Sequence, residues 1–166
     1  MKWLIDGYNV IRRDADLRAA EAGGLEAGRR ALLARLADHV RLSNDQFTVV
    51  FDGAPVPGAA TAPGRLEVVF SRPPLKADDV LIRRARQEGA GAVVVTSDRA
   101  VADAARRARC AVVDAERFLA RLGSEPDREA EVDPPGGPVK RGNPRRRSKK
   151  ERAAARALRR LGPPQG

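Results

Sequence analysis

Acidic side chains recur in this sequence just after short apolar runs or at the start of helical patterns. The candidates are Asp6, Asp52, Asp78, Asp79 and Asp98. Carboxylates that lie close together repel one another, which raises their pKa values unless a cation lies between them. Mg²⁺ or Mn²⁺ is the natural cation, because both ions prefer oxygen ligands. Such an ion would position a water molecule for attack on a phosphodiester and would stabilise the leaving oxygen.

The apolar runs that precede these acids predict a parallel sheet. They are WLI at 3–5, FTVVF at 47–51, LEVVF at 66–70, AVVVT at 92–96 and AVV at 111–113. They are rich in Val and mostly do not alternate, as is typical of strands buried on both faces. Helical patterns lie between and after them, over 25–42, 77–88, 98–108 and from Ala115 onwards. Alternating strands and helices predict right-handed crossovers, and therefore an α/β fold, a three-layer α/β/α sandwich with a mostly parallel sheet.

The expected strand order brings the acids together. In a parallel α/β sheet, the carboxyl ends of the strands and the N-termini of the following helices lie at one edge, and ligands bind where the strand order reverses. We expect the order 3-2-1-4-5, which makes Asp6 and Asp98 neighbours at that point. Asp78 joins them through the crossover from the third strand. Asn9 adds a carbonyl oxygen to the same edge, and Ser97 adds a hydroxyl.

Each acid also has a purely structural interpretation. Asp6 fits a turn or a helix cap, Asp98 fits a helix N-cap, and Asp52 fits a turn residue in FDGAP. The acids at 78 and 79 fit the first turn of a helix, where the macrodipole favours negative charge. What favours a functional site is their combination at one predicted edge, together with Asn9.

The net charge of +10 is confined to the C-terminal part of the chain. Between Lys140 and Arg160 there are eleven basic residues and one acid, so the remainder is neutral. A cationic tail on a neutral body indicates a polyanionic partner, most commonly nucleic acid. The tail ends in KKERAAARALRRL, a short amphipathic pattern that is marginal as an isolated helix. We expect it to be disordered, or ordered only by packing or by a partner.

Composition also suggests the compartment and the domain organisation. One Cys excludes an intrachain disulfide, the start of the chain lacks signal-peptide features, and no apolar run approaches the ~18 residues of a membrane span. We therefore expect a cytoplasmic protein without a membrane partner. We expect a domain over 1–122, an acidic Pro/Gly linker over 123–138 and a basic tail over 139–166.

Basic residues near the predicted edge and in the tail are candidates for contacting RNA phosphates. They are Arg12, Arg13, Arg72, Lys76, Arg145, Arg146, Arg147, Lys149 and Lys150. Solvated surface charge is the alternative for the four that lie outside the tail. Tyr8 suits either base stacking or packing under its own turn. His39, Cys110 and Trp3 fit a boundary residue, a small buried thiol and a core residue.

Four ordered motifs resemble the YacP-like NYN domain family of PIN-like nucleases. They are IDGYNVI at 5–11, VVFDG at 49–53, LEVVFS at 66–71 followed by KADDVLIRRA at 76–85, and VVVTSDRAVADAA at 93–105. The resemblance covers about residues 1–122 and does not include the tail.

This resemblance implies a metal-dependent endoribonuclease that uses Mg²⁺ or Mn²⁺ and acts on mRNA, with the ribosome as an expected partner. It implies that Asp6, Asp78 and Asp98 are the catalytic, metal-binding carboxylates. It favours Asp78 over Asp79 as the catalytic acid of the third motif. The supporting positions that it implies are Asn9, Ser97, Asp52 and Asp79.

Other classes of function remain open at this point. A non-catalytic RNA- or ribosome-binding module of the same fold would depend on the tail and not on the acids. A dehalogenase-like phosphatase needs a second acid two residues after Asp6, where Tyr8 stands, and a phosphoacceptor domain needs Lys after the last strand, where Asp114 stands. A dinucleotide site needs G-x-G-x-x-G after the first strand, and DGYNVI does not match it.

Overall fold

The computed structural model of the protein describes residues 1–54, 64–123 and 149–160. Its centre is a parallel five-stranded sheet. The strands are β1 Lys2–Asp6, β2 Gln46–Phe51, β3 Leu66–Phe70, β4 Ala92–Val95 and β5 Ala111–Val113. They pair in the order β3-β2-β1-β4-β5, and every pairing is parallel. The predicted α/β fold and strand order are confirmed.

Helices cover both faces of this sheet. They are α1 Gly7–Ile11, α2 Ala15–Ala22, α3 Leu25–Leu42, α4 Ala77–Glu88, α5 Arg99–Arg107, α6 Ala115–Gly123 and α7 Lys149–Arg160, with a 3-10 turn at Gly89–Gly91. The first two lie in a stretch for which the sequence predicts no helix, because both are too short to show a helical period. Within the described ranges, no helix is both long and apolar enough to cross a membrane.

The central strand β1 supplies side chains to two hydrophobic clusters, one on each face of the sheet. Trp3 and Ile5 pack with residues of α3 and α6, whereas Leu4 packs with residues of α4 and α5. All three side chains are almost fully buried. Burial on both faces explains why the strands read as continuous apolar runs. The same strands carry their last residues to one edge of the sheet, which we call the carboxyl edge.

The last helix, α7, lies against the edge strand β5. Ala157 is fully buried in the cluster that contains Trp3, and Leu158 packs against that cluster. Arg121 of α6 donates from Nε to the backbone carbonyl of Leu158 at 3.2 Å. Such a bond satisfies a carbonyl that the end of a helix leaves without an intrahelical partner. Packing therefore orders this part of the basic tail. The boundaries of the linker and tail stay predictions, because 124–148 lies outside the described residues.

Candidate active site

Asp6 is the last residue of β1 and the N-cap of α1. Its Oδ1 accepts a hydrogen bond from the backbone amide of Asn9 at 3.1 Å, and its Oδ2 accepts one from the Thr96 hydroxyl at 3.3 Å. The residue is only 8% exposed, and no cation in the described part of the chain forms an ion pair with it. Gly7 must lack a side chain here, since a Cβ would overlap the ring of Phe51. Asp6 is thus both a helix cap and a buried acid without a counter-ion.

The carboxylates at the carboxyl edge influence one another electrostatically. Burial raises the pKa of Asp6 from 3.8 to about 6; the Asn9 amide opposes this rise, and repulsion from Asp78 and Asp52 adds to it. Burial also raises the pKa of Asp78, and repulsion from Asp98, Asp52 and Asp79 adds to the rise. Together these effects identify one group of acids. We call Asp6, Asp52, Asp78 and Asp98 the acidic cluster.

Thr96 links two members of the acidic cluster. Its hydroxyl donates to Asp6 and accepts a hydrogen bond from the backbone amide of Asp98 at 3.0 Å. Asp98 is the N-cap of α5, and its Oδ1 accepts from the amide of Val101 at 3.0 Å. Thr96 is not among the candidates from the sequence. The end of the AVVVT run indicates its place at the edge, but nothing indicates its partners, which lie 90 residues away in the case of Asp6.

Asp52 follows β2 and holds the start of α4. Its Oδ1 accepts from the amide of Ala77, the first residue of α4, at 2.7 Å and from the Ser71 hydroxyl at 2.9 Å. This contact positions the next residue, Asp78, which is exposed and accepts no hydrogen bond from any described residue. Asp79 accepts instead from the amide of Lys76 at 3.0 Å and caps its own helix. Asp78 is therefore the acid of this pair that is available to a ligand.

Asn9 and Ser97 hold loops together. The Asn9 Oδ1 accepts from the backbone amide of Ser97 at 2.8 Å, which joins α1 to the loop after β4. The Ser97 hydroxyl donates to Oδ2 of Asp114 at 2.8 Å. Asp114 directly follows β5, and its Oδ1 accepts from the amide of Glu116 at 2.9 Å. Its place after an apolar run is the same signal that marks Asp6 and Asp52, although the sequence analysis does not select it.

Tyr8 packs under its own turn, which is one of the two roles that the sequence suggests for it. Tyr8 is 9% exposed, its ring meets that of Phe51 edge to face at 5.3 Å, and its hydroxyl accepts from Nε of Arg29 at 2.8 Å. Arg29 is buried as well, although the sequence does not distinguish it from its neighbour Arg30. The guanidinium of Arg12, an exposed residue, lies 5.7 Å from the centre of the Tyr8 ring.

The other basic candidates are placed differently from one another. Arg13 pairs with Glu116 at 3.1 Å, and both side chains are exposed, so the pair contributes little to stability. Arg72 and Lys76 are exposed in the segment before α4, and the charge of Lys76 acts to lower the pKa of Asp78. Arg145, Arg146 and Arg147 lie outside the described residues, as do the side chains of Lys149 and Lys150, whose backbone belongs to α7.

By its chemistry, the acidic cluster suits a hard divalent cation. It offers carboxylate oxygens, two of its pKa values are raised, and none of its members pairs with a cation among the described residues. In the same ranges, however, no three His, Cys, Asp or Glu side chains lie close enough to hold a metal ion directly. Mg²⁺ tolerates such a set, because it keeps several waters and binds through one or two carboxylates. A structural zinc site, with four tetrahedral protein ligands, does not fit.

This chain is similar to known proteins both in sequence and in fold. A family model described as the YacP-like NYN domain matches residues 3–161, which includes α7 and extends beyond the range of the recognised motifs. Crystal structures of Rae1 (YacP) from Bacillus subtilis and of a single-residue mutant of it match with TM-scores of 0.64 and 0.62, each at 24% identity. Each match covers 74% of this chain, and 73% and 74% of those chains.

No curated protein matches the sequence significantly. At 24% identity the two crystal structures support the fold alone, whereas the family model spans most of the chain. The resemblance in the motifs is therefore confirmed by an independent comparison. The chain belongs to the YacP-like NYN domain family, and membership of this PIN-like nuclease family supports an RNA-related nuclease function.

Proposed function

We propose that this protein is a metal-dependent endoribonuclease that cuts mRNA, either free or on the ribosome. The observation that carries the proposal is the acidic cluster at the carboxyl edge, whose buried member Asp6 has no counter-ion among the described residues. Repulsion between its carboxylates destabilises the folded protein as long as no cation is bound. A bound cation removes that cost.

Asp6, Asp78 and Asp98 would hold Mg²⁺ or Mn²⁺, one or two of them directly and the others through waters of the ion. A bound ion of this kind supplies a positioned water and neutralises charge on the leaving oxygen. The other residues of the edge orient the acids: Thr96 and the Asn9 amide fix the carboxylate of Asp6. The products would carry 5′-phosphate and 3′-hydroxyl ends.

Basic side chains beside the acidic cluster would bind the phosphates that flank the cut. Lys76 is close enough to Asp78 to affect its pKa, and Arg12 lies exposed over Tyr8. On α7, Arg152 and Arg156 are exposed while Ala157 anchors the helix to β5. This second basic surface would hold more distant RNA or the ribosome, and its contribution should weaken with salt.

The direct test is cleavage of a labelled RNA by purified protein with Mg²⁺ or Mn²⁺. We expect activity that is lost in excess EDTA and in the double variant Asp6→Asn with Asp98→Asn. Asp103→Asn is the matched control, because Asp103 is an exposed acid of α5 that pairs with Arg106. Cleavage that persists in the double variant or in EDTA would refute the proposal. Mapping RNA 5′ ends in cells with wild-type protein and with Asp6→Asn would then identify the substrate.

A non-catalytic RNA- or ribosome-binding module is the second candidate. The lack of three preassembled metal ligands in the described residues favours it. Deleting the tail is a poor test of this candidate, because α7 packs in the core and its loss would expose the cluster around Ala157. Charge reversal at Arg152 and Arg156 changes the two basic side chains of α7 that the structure shows as exposed, and it keeps the buried contacts of Ala157. If this double variant lost RNA or ribosome binding while Asp6→Asn changed no RNA end in cells, the binding module would be favoured.

A further inference from the structure

A buried arginine lies behind the acidic cluster. Arg29 of α3 is 6% exposed, and its one ion-pair partner among the described residues is Glu26, at 3.5 Å. Burying a guanidinium is costly unless hydrogen bonds satisfy its donors. A buried arginine therefore needs hydrogen-bond acceptors around its guanidinium, and these acceptors show which segments Arg29 connects.

The donors of Arg29 reach two separate segments of the carboxyl edge. Its Nε donates to the Tyr8 hydroxyl at 2.8 Å, in the helix that Asp6 caps. Its Nη2 donates to the backbone carbonyl of Asp52 at 3.2 Å, and its Nη1 donates to that of Ala54 at 3.3 Å. One side chain thus joins the turn after β1 to the loop after β2.

Three aromatic rings surround the guanidinium and fix its plane. Its carbon lies 5.4 Å from the ring centre of Tyr8, 5.6 Å from that of Phe51 and 5.0 Å from that of Phe70. Cations at such distances are attracted to the faces of aromatic rings. A lysine ammonium lacks the planar fork that is needed to serve three acceptors in this arrangement. The site is therefore specific for arginine and not merely for positive charge.

The contacts of Arg29 continue to the acids themselves. Asp52, whose backbone Arg29 holds, accepts from the Ala77 amide and so fixes the start of α4 and Asp78. Tyr8 lies in the short helix α1, whose Asn9 amide donates to Asp6. We propose that Arg29 is a positioning residue for the nuclease site, because it keeps the segments that carry Asp6 and Asp78 in a fixed relation. This inference rests on the proposed function, and the alternative is that Arg29 only stabilises the core.

The first measurement needs neither metal nor substrate. Amide hydrogen exchange followed by NMR reports the bonds from Asn9 to Asp6 and from Ala77 to Asp52. In Arg29→Met we expect both amides to exchange at least about tenfold faster than in the wild type, since each bond has a charged acceptor. The amides of Leu17 and Val101 donate to Asp14 and Asp98, the N-caps of α2 and α5, and their exchange should not change.

The second measurement follows the metal. Titration of the protein with Mn²⁺ alone, followed by electron paramagnetic resonance, should give an affinity at least about tenfold weaker in Arg29→Met, as is common when a residue that orients metal ligands is lost. In RNA cleavage, kcat should fall while KM for the RNA changes little. Arg29→Lys keeps the charge without the fork and should not restore either value. Arg30→Met, at an exposed arginine of the same helix, is the matched control and should behave as the wild type.

Tyr8→Phe removes the hydrogen bond from Nε of Arg29 and keeps the ring. The amide of Asn9 should exchange faster than in the wild type, by a smaller factor than in Arg29→Met. If Arg29→Met does not fold, this variant tests the inference in its place. Unchanged exchange at Asn9 and Ala77, or an equal change at all four amides, would overturn the inference. A wild type that binds no Mn²⁺ and cuts no RNA would instead refute the proposed function, and exchange would still decide what Arg29 does.

Discussion

Replacing Asp6 with Asn should stabilise the metal-free protein at neutral and higher pH. In the folded state burial raises the pKa of Asp6 to about 6 from 3.8, so the folded protein binds this proton more tightly than the unfolded chain does. Ionisation of Asp6 therefore opposes folding increasingly as the pH rises above 3.8, and fully above about 6. The difference between the two pKa values corresponds to about 3 kcal/mol at high pH, by the usual conversion.

The substitution also removes favourable contacts, which reduces the gain. Asn retains one acceptor for the Asn9 amide, and its NH₂ group faces the Thr96 hydroxyl, which accepts as well as donates. Weakening these bonds costs about 0.5–1.5 kcal/mol. The interaction of the charge with the amide of Asn9 is already contained in the raised pKa and is not subtracted again. We expect a net stabilisation of about 1.5–2.5 kcal/mol in EDTA at about pH 8.

The pH dependence makes this prediction specific to the ionisation of Asp6. Because the pKa of Asp6 is raised in the folded state, the free-energy cost of burying its ionised carboxylate is absent well below pH 3.8. This cost grows as the pH rises towards 6 and is complete above it. At about pH 4.5 it is about 2 kcal/mol smaller than at about pH 8, so the advantage of Asp6→Asn should disappear or reverse. At a hundredfold excess over Kd, Mg²⁺ or Mn²⁺ should stabilise the wild type by about 2.7 kcal/mol. The stability of the variant should not change.

Urea unfolding at the two pH values, in EDTA, measures this directly. Asp103→Asn is the control, because its exposed partner Arg106 makes it a weak surface pair. A variant that is less stable than the wild type at about pH 8, with a difference that does not depend on pH, would refute the reasoning. Asp6 would then be a structural cap, and the burial that its raised pKa reflects would have no functional meaning.

Three further predictions follow from the same contacts. Gly7→Ala should lower the free energy of unfolding by about 1–3 kcal/mol in urea titrations, because its Cβ would overlap the ring of Phe51. With limiting Mg²⁺, RNA cleavage should fall as the pH drops below about 6, since protons compete for Asp6, and excess Mg²⁺ should move that fall to lower pH. Reversing the charge of Arg152 and Arg156 should weaken RNA binding and reduce its salt dependence by about two phosphate contacts in filter-binding assays, with an unchanged circular dichroism spectrum.

The sheet was predictable from the sequence because its strands are buried on both faces. Each apolar run corresponds to a strand within one or two residues, and strand order followed from placing the first run at the centre. The segment over 7–24 was not predictable in the same way. The helix α1 has five residues and exists because Asp6 caps it and Val10 and Ile11 are buried, and neither condition leaves a period in the sequence.

The acids of the candidate site were predictable from the sequence, as was the presence of Asn9 and Ser97 at the same edge, whereas Thr96 and Arg29 were not. An acid that follows a buried strand must lie at the carboxyl edge, so Asp6, Asp52 and Asp98 followed from the pattern. Thr96 and Arg29 act through partners that are distant in sequence, 90 residues away for Thr96 and Asp6 and 21 for Arg29 and Tyr8. Such pairings depend on register and on helix rotation, which one sequence does not specify.

The structural and functional interpretations of the acids are two views of one arrangement. Asp6 caps α1, Asp98 caps α5, and Asp52 binds the first amide of α4, so each of three acids lies at the N-terminus of a different helix. Amides and helix dipoles at these ends favour negative charge, and they offset part of the repulsion between the acids while no cation is bound. Capping is therefore the means by which the fold keeps the acids together. Asn caps a helix about as well as Asp, so Asp→Asn removes the charge and keeps the cap, whereas Asp→Ala removes both.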